Sequence, residues 1–185
     1  MAFDPYLLPP DLPAPDDDGG ADHLAGAAVP AVRLDSTQGA VDLAELAAER
    51  LVLYVYPRTG TPGVEPPAGW DAYPGARGCT PQSCGFRDHA AELRTLGARV
   101  AGVSVQSLPE QIEFAKRTHM PYPVIADPKL VLRDTLGLPT FDIAGMTLYK
   151  RLALVADEGS IVKAFYPVFP PDRNAEDVVA WLRQR

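Results

Sequence analysis

Leu51-Val52-Leu53-Tyr54-Val55-Tyr56-Pro57 is an apolar run closed by a proline, and its reading decides the fold. Every residue is apolar or aromatic, not every second one. That pattern belongs to a strand covered on both faces, in the middle of a sheet flanked by helices. Pro57 has no N–H for a ladder and ends it.

Downstream, residues 57–78 are rich in Pro and Gly and show no period, so they read as a loop of about 20 residues. A loop that long in a compact domain is functional or mobile. Phe86, Ala90, Leu93 and Leu96 then recur at helical spacing until Gly97. Arg99–Val105 reads as a strand and Leu108–Thr118 as a helix burying Ile112, Phe114 and Ala115. Val124–Ala126 is a short strand, and Asp127-Pro128 caps a helix over Lys129–Leu136. Leu148–Ala156 and Ile161–Val168 flank Asp157-Glu158-Gly159-Ser160 as a hairpin, and Asp172-Arg173-Asn174 opens the last helix.

Upstream, Val32–Leu34 reads as a strand, followed by a turn and by a short helix opened by Asp42. Residues 1–30 are a Pro- and Asp-rich extension expected to wrap the surface or stay mobile, and removable at little cost. The domain proper is 31–185. Its β-α-β-α-β-α-β-β-α order predicts an α/β fold, a mixed central sheet with helices on both faces. A thioredoxin-like sandwich fits this order well, and a small flavodoxin-like sheet fits much of it.

Net charge narrows the function. Six of the 24 acidic residues and none of the 17 basic ones fall in residues 1–32, so the −7 of the whole chain leaves only −1 on the rest. A near-neutral body is not a phosphate-backbone binder, so no nucleic-acid partner is expected. No apolar run approaches the roughly 18–20 residues that span a bilayer. Two cysteines are too few for a stapled secreted scaffold, and the first residues lack a basic and then apolar leader, so a cytoplasmic location is expected.

Those cysteines, Cys79 and Cys84, lie where the long loop turns into the Phe86 helix. Free N–H groups and the positive end of the dipole favour thiolate there, and thiolate is the nucleophile, so Cys79 is the better placed to attack. His89, ten residues beyond Cys79, is about 15 Å away along a helix and cannot be its base. His23 and His119 are scattered, no zinc spacing is present and no cofactor is expected. Trp70 is expected to pin its loop to the body.

Gly78-Cys79-Thr80-Pro81-Gln82-Ser83-Cys84-Gly85-Phe86-Arg87-Asp88 resembles the active-site segment of peroxiredoxins of the Q, or bacterioferritin-comigratory-protein, type. Tyr54-Val55-Tyr56-Pro57, Val124–Pro128 and Arg151 ahead of Leu154–Gly159 extend the resemblance over residues 31–185. It implies a thiol peroxidase, often monomeric, that reduces hydrogen peroxide and organic hydroperoxides. Cys79 would be peroxidatic, Cys84 resolving through an intramolecular disulfide, and Arg151 would hold thiolate and peroxide. A thioredoxin-like protein would supply electrons. The chain departs from the family's Pro-x-x-x-Thr-x-x-Cys, because Ala72 and Ala76 hold the two positions before Cys79. Pro57-Arg58-Thr59-Gly60-Thr61 matches the first half, and about 63–77 then reads as an insertion. Thr61 is the hydroxyl expected at the peroxide, with Thr59 or Thr80 as substitutes. The alternative is a thioredoxin-fold copper chaperone, whose expected Cys-x-x-x-Cys with a distal His differs from the spacing here. A disulfide oxidoreductase would carry Cys-x-x-Cys.

Overall fold

In the computed structural model, which describes residues 3–185, the 51–56 run forms strand β3 (Arg50–Val55) at the heart of the sheet. It pairs in parallel with β4 (Ala98–Ser104) and antiparallel with β8 (Leu152–Asp157). β4 pairs in parallel with β5 (Val124–Ala126). With β1 (Arg33–Ser36), β2 (Val41–Asp42) and β9 (Ser160–Phe165) they make a seven-stranded sheet ordered β2-β1-β5-β4-β3-β8-β9.

Alternation along β3 divides the core. Leu51, Leu53 and Val55 face Leu43 of α1 (Leu43–Leu46) and Leu132 and Leu136 of α5 (Val131–Leu136). Val52, Tyr54 and Tyr56 face the other layer, α2 (Cys79–Asp88), α3 (Ala90–Thr95), α4 (Leu108–Thr118) and α6 (Asn174–Leu182). The result is the thioredoxin-like mixed sheet with helices on both faces. Gly102 on β4 lets the Tyr54 ring lie against the strand, since a Cβ there would sit 2.5 Å from the Tyr54 ring and hydroxyl.

Several boundaries differ from the sequence expectation. The 148–156 run is not one strand. β7 (Met146–Tyr149) pairs with β6 (Thr140–Ile143) as a separate hairpin, and the chain turns at Lys150-Arg151 before β8. Ala144 and Gly145, at φ 48° and 77°, make its two-residue turn. The helix stripe of 86–96 divides at His89, which leaves helical geometry and sets its ring Nδ1 2.9 Å from the Gly85 carbonyl oxygen. α5 starts at Val131, not Lys129, because Leu130 takes φ 57° and the Asp127 carboxylate accepts from the Val131 and Leu132 N–H groups. Ile112 is exposed, and α4 buries Gln111 in its place. The Gln111 amide accepts from the Tyr56 hydroxyl and donates to Ser104 Oγ and the Ile125 carbonyl, which removes the cost of burying it.

The N-terminal segment is laid firmly across the body. Ala21 and Leu24 enter the core of the α1/α5 face, and Phe3 lies under the Arg77 guanidinium at 4.4 Å. The Asp18 carboxylate accepts from Lys150 and from the Tyr166 hydroxyl, bonds that hold it far below the usual carboxylate range. The expectation that this segment is removable at little cost is therefore corrected: its anchors are partners far away in sequence. Among the described residues no helix is long and apolar enough to cross a membrane.

Candidate active site

The carboxyl end of β3, the customary place for a site in an α/β sheet, runs through the 57–78 loop into α2. Cys79 is the first residue of α2. The residue before it, Gly78, has φ 103°, and a Cβ there would lie 2.3 Å from Pro171 Cγ, so only glycine fits. The Cys79 side chain is buried. Its Sγ accepts from Arg151 Nη2 at 3.3 Å and from the Arg58 backbone N–H at 3.4 Å. As a thiol it donates to the Ala76 carbonyl at 3.5 Å.

Arg151 reaches the sulfur from the break between β7 and β8, and it is 3% exposed. Nη1 donates to Gln82 Oε1 at 2.5 Å. Nη2 also donates to the carbonyls of Gly75, Ala76 and Arg77 at 3.2, 3.2 and 2.9 Å. Among the described residues no carboxylate pairs with it. A buried cation without a counter-anion is costly. The sulfur that touches this guanidinium is the group that can supply the negative charge, and the start of α2 adds the positive end of its dipole.

Cys84 lies on the same helix and is half-buried. Burial pushes its thiol above the ordinary range. Beneath it the Tyr54 and Tyr122 hydroxyls lie 3.2 Å apart, and Tyr122 donates to the Ser83 carbonyl at 3.2 Å. Burial raises both phenols, Tyr54 to about 12, so they stay protonated donors. Phe86 stacks on Tyr54 with centroids 4.5 Å apart, fixing the rest of α2 to the sheet.

The structure thus joins Arg151 to Cys79 at the start of α2, with Cys84 farther along the same helix, and among the described residues Thr61 makes no hydrogen bond to any of them. It stands exposed at the mouth of a cavity of about 590 Å³ whose wall also carries Arg58, Thr59 and Trp70. The Thr59 hydroxyl donates to Gln106 Oε1 at 3.0 Å. The Thr80 hydroxyl, on the residue after Cys79, is buried without a partner among the described residues. Fourteen residues of loop separate Gly63 from Gly78, so Thr61 stands far from Cys79 in sequence, although the Arg58 N–H of the same stretch touches the sulfur. Trp70 does pin the loop, packing with Ala76, Phe141 and Leu148. Two functional side chains escaped the sequence reading. Gln82 holds Arg151, and Arg77, itself buried, ties the loop to the N-terminal segment through the Asp4 and Leu7 carbonyls at 2.8 and 3.1 Å. Gln82 carried a signal, being a polar residue one turn past Cys79 in a helix that packs on the sheet.

The redoxin family model matches residues 24–179. A chloroplastic peroxiredoxin Q of Gentiana triflora is 30% identical over 144 residues, 77% of this chain and 58% of that protein. One from Sedum lineare is 29% identical over 160 residues, 85% of this chain and 77% of its own length. The chain therefore spans between about half and three-quarters of these curated relatives. The solved structure of peroxidoxin BcpB from Mycobacterium tuberculosis superposes with a TM-score of 0.70 at 25% identity, over 86% of this chain and 96% of that one. The chain belongs to the redoxin family, and its relatives there are peroxiredoxins of the Q type.

Proposed function

We propose that this chain is a thiol-dependent peroxidase in which Cys79 is the peroxidatic cysteine, Cys84 the resolving one and Arg151 the cation that holds thiolate and peroxide. The carrying observation is the buried Arg151 guanidinium, 3.3 Å from Cys79 Sγ and paired with no carboxylate among the described residues. The Cys79 thiolate attacks the distal peroxide oxygen and the O–O bond breaks. The departing alkoxide or hydroxide takes a proton and leaves as alcohol or water, and the sulfur is oxidised to a sulfenic acid. Arg151 and the Arg58 N–H stabilise the charge that moves onto the departing oxygen, and the Thr80 hydroxyl, buried without a partner among the described residues, is the donor that takes the place of Thr61.

Cys84 then attacks the sulfenic sulfur, forming the disulfide and releasing water. A regular helix places residues five apart roughly 8–9 Å between Cα atoms, whereas a disulfide tolerates at most about 7 Å. The first turns of α2 must therefore unwind. Pro81 and Gly85 weaken that stretch. A thioredoxin-like dithiol protein then returns two electrons, and the chain acts as a monomer in the cytoplasm. The copper-chaperone reading is not favoured: among the described residues no three His, Cys, Asp or Glu side chains stand together to hold an ion.

Peroxide consumption with thioredoxin and its reductase tests this. Wild type turns over and Cys79→Ser does not. Activity retained in that variant would remove Cys79 from the role.

A further inference from the structure

Asn174, the first residue of α6, is a polar side chain only 1% exposed. Its place follows from donor and acceptor logic. Arg151 can only donate, so the group facing Nη1 must be an acceptor, and Gln82 has to present Oε1 there. That orientation sends Gln82 Nε2 into fully buried surroundings, where it needs an acceptor of its own. Asn174 Oδ1 supplies it at 2.9 Å. If the Gln82 amide were turned over, its N–H donors would face the guanidinium. Nη2 does not set the guanidinium plane by itself, because its four acceptors all lie on one short stretch, residues 75–79, where the loop enters α2. The single bond at Nη1 breaks that degeneracy.

We propose that Asn174 is a positioning residue for the first oxidation step: by fixing the Gln82 amide, it holds Arg151 in the pose that meets Cys79 Sγ. The inference rests on the peroxidase reading. Gln82 lies between the two cysteines, in the stretch that must unwind for the disulfide to form. Once that turn opens, Gln82 leaves both partners and Asn174 has nothing left to orient. Asn174 therefore governs oxidation of Cys79 by peroxide and not reduction of the disulfide.

The test is a double-mutant cycle read on both half-reactions. Asn174→Leu should lower the second-order rate constant for Cys79 oxidation about five- to tenfold, as expected when one member of a buried network is cut. With peroxide saturating and reductant limiting, its turnover should equal wild type. In a Gln82→Leu background the same substitution should cost nothing further. Equal losses in both backgrounds, no loss in wild type, or a matching loss in disulfide reduction would overturn the proposal. If Asn174→Leu does not fold, Asn174→Ser, which withdraws the acceptor without adding bulk, goes through the same cycle. A wild-type protein inert to peroxide would sink the peroxidase reading itself, so the two failures are separable.

Discussion

The two cysteines of α2 share a helix and a residue type, yet their surroundings differ in every respect that matters for reactivity. Cys79 is buried at the helix start, against a guanidinium and a backbone N–H. Cys84 is half-buried one and a half turns on, and burial raises its thiol. On the proposed reading the first is placed to attack peroxide and the second to follow once the helix opens. What separates the two cysteines is a neighbour brought from 72 residues away in sequence.

Breaking the Cys79 side of this comparison gives the largest effect. Cys79→Ser removes turnover, since an alkoxide is out of reach near neutral pH, and coupled peroxide consumption reads it directly. Arg151→Ala should slow the oxidation of Cys79 about a hundredfold, in the range seen when one donor to a developing oxyanion is lost. Alkylation of Cys79 by iodoacetamide near neutral pH should slow with it, and Arg151→Lys should recover only part because the fork of donors is gone. An unchanged alkylation rate in the alanine variant would mean the guanidinium does not hold the thiolate.

Breaking the Cys84 side leaves attack intact. Cys84→Ser should still be oxidised by peroxide but carry Cys79 on to the sulfinic form, visible by mass. In wild type the raised Cys84 thiol predicts that disulfide closure quickens as pH rises above neutral, because the thiolate fraction of Cys84 grows. Stopped-flow closure rates that fall with pH would contradict this. The smallest effect on chemistry comes from the N-terminal segment. Removing residues 1–27 should leave the cysteines competent but strip Leu24 from the core, worth about 2–3 kcal/mol, and lower the melting temperature by roughly 5–10 °C. An unchanged melt would show that the segment is not part of the core.

The sequence is most readable where local signals agree with tertiary ones. α4 spans Leu108–Thr118 as expected, because Ser107 and Glu110 close a capping box at its start. β5 is likewise found at Val124–Ala126. Cys79 and Cys84 are legible as candidates from their position at a loop-to-helix junction, and Arg151 as a candidate from the family resemblance. What stayed hidden depends on distant partners. The break falls at Lys150-Arg151, two charged residues in a stretch, 148–156, that has no Gly, Pro, Asn or Asp to mark a turn. The buried face of α4 follows Gln111, whose partners come from β4, β5 and Tyr56. The docking of the N-terminal segment depends on Arg77, Lys150 and Tyr166, and the choice among hydroxyls depends on where the inserted loop folds.

On the proposed cycle, one helix holds both cysteines in the reduced protein and opens to join them. Intact-mass analysis after one equivalent of peroxide, paired with hydrogen exchange over residues 79–88, tests it most directly. The prediction is a monomer lighter by two hydrogens, with a Cys79–Cys84 link in its peptide map and faster exchange across the first turns of α2. A stable gain of one oxygen, a disulfide-linked dimer, or a linked monomer whose α2 exchanges as slowly as before would contradict it.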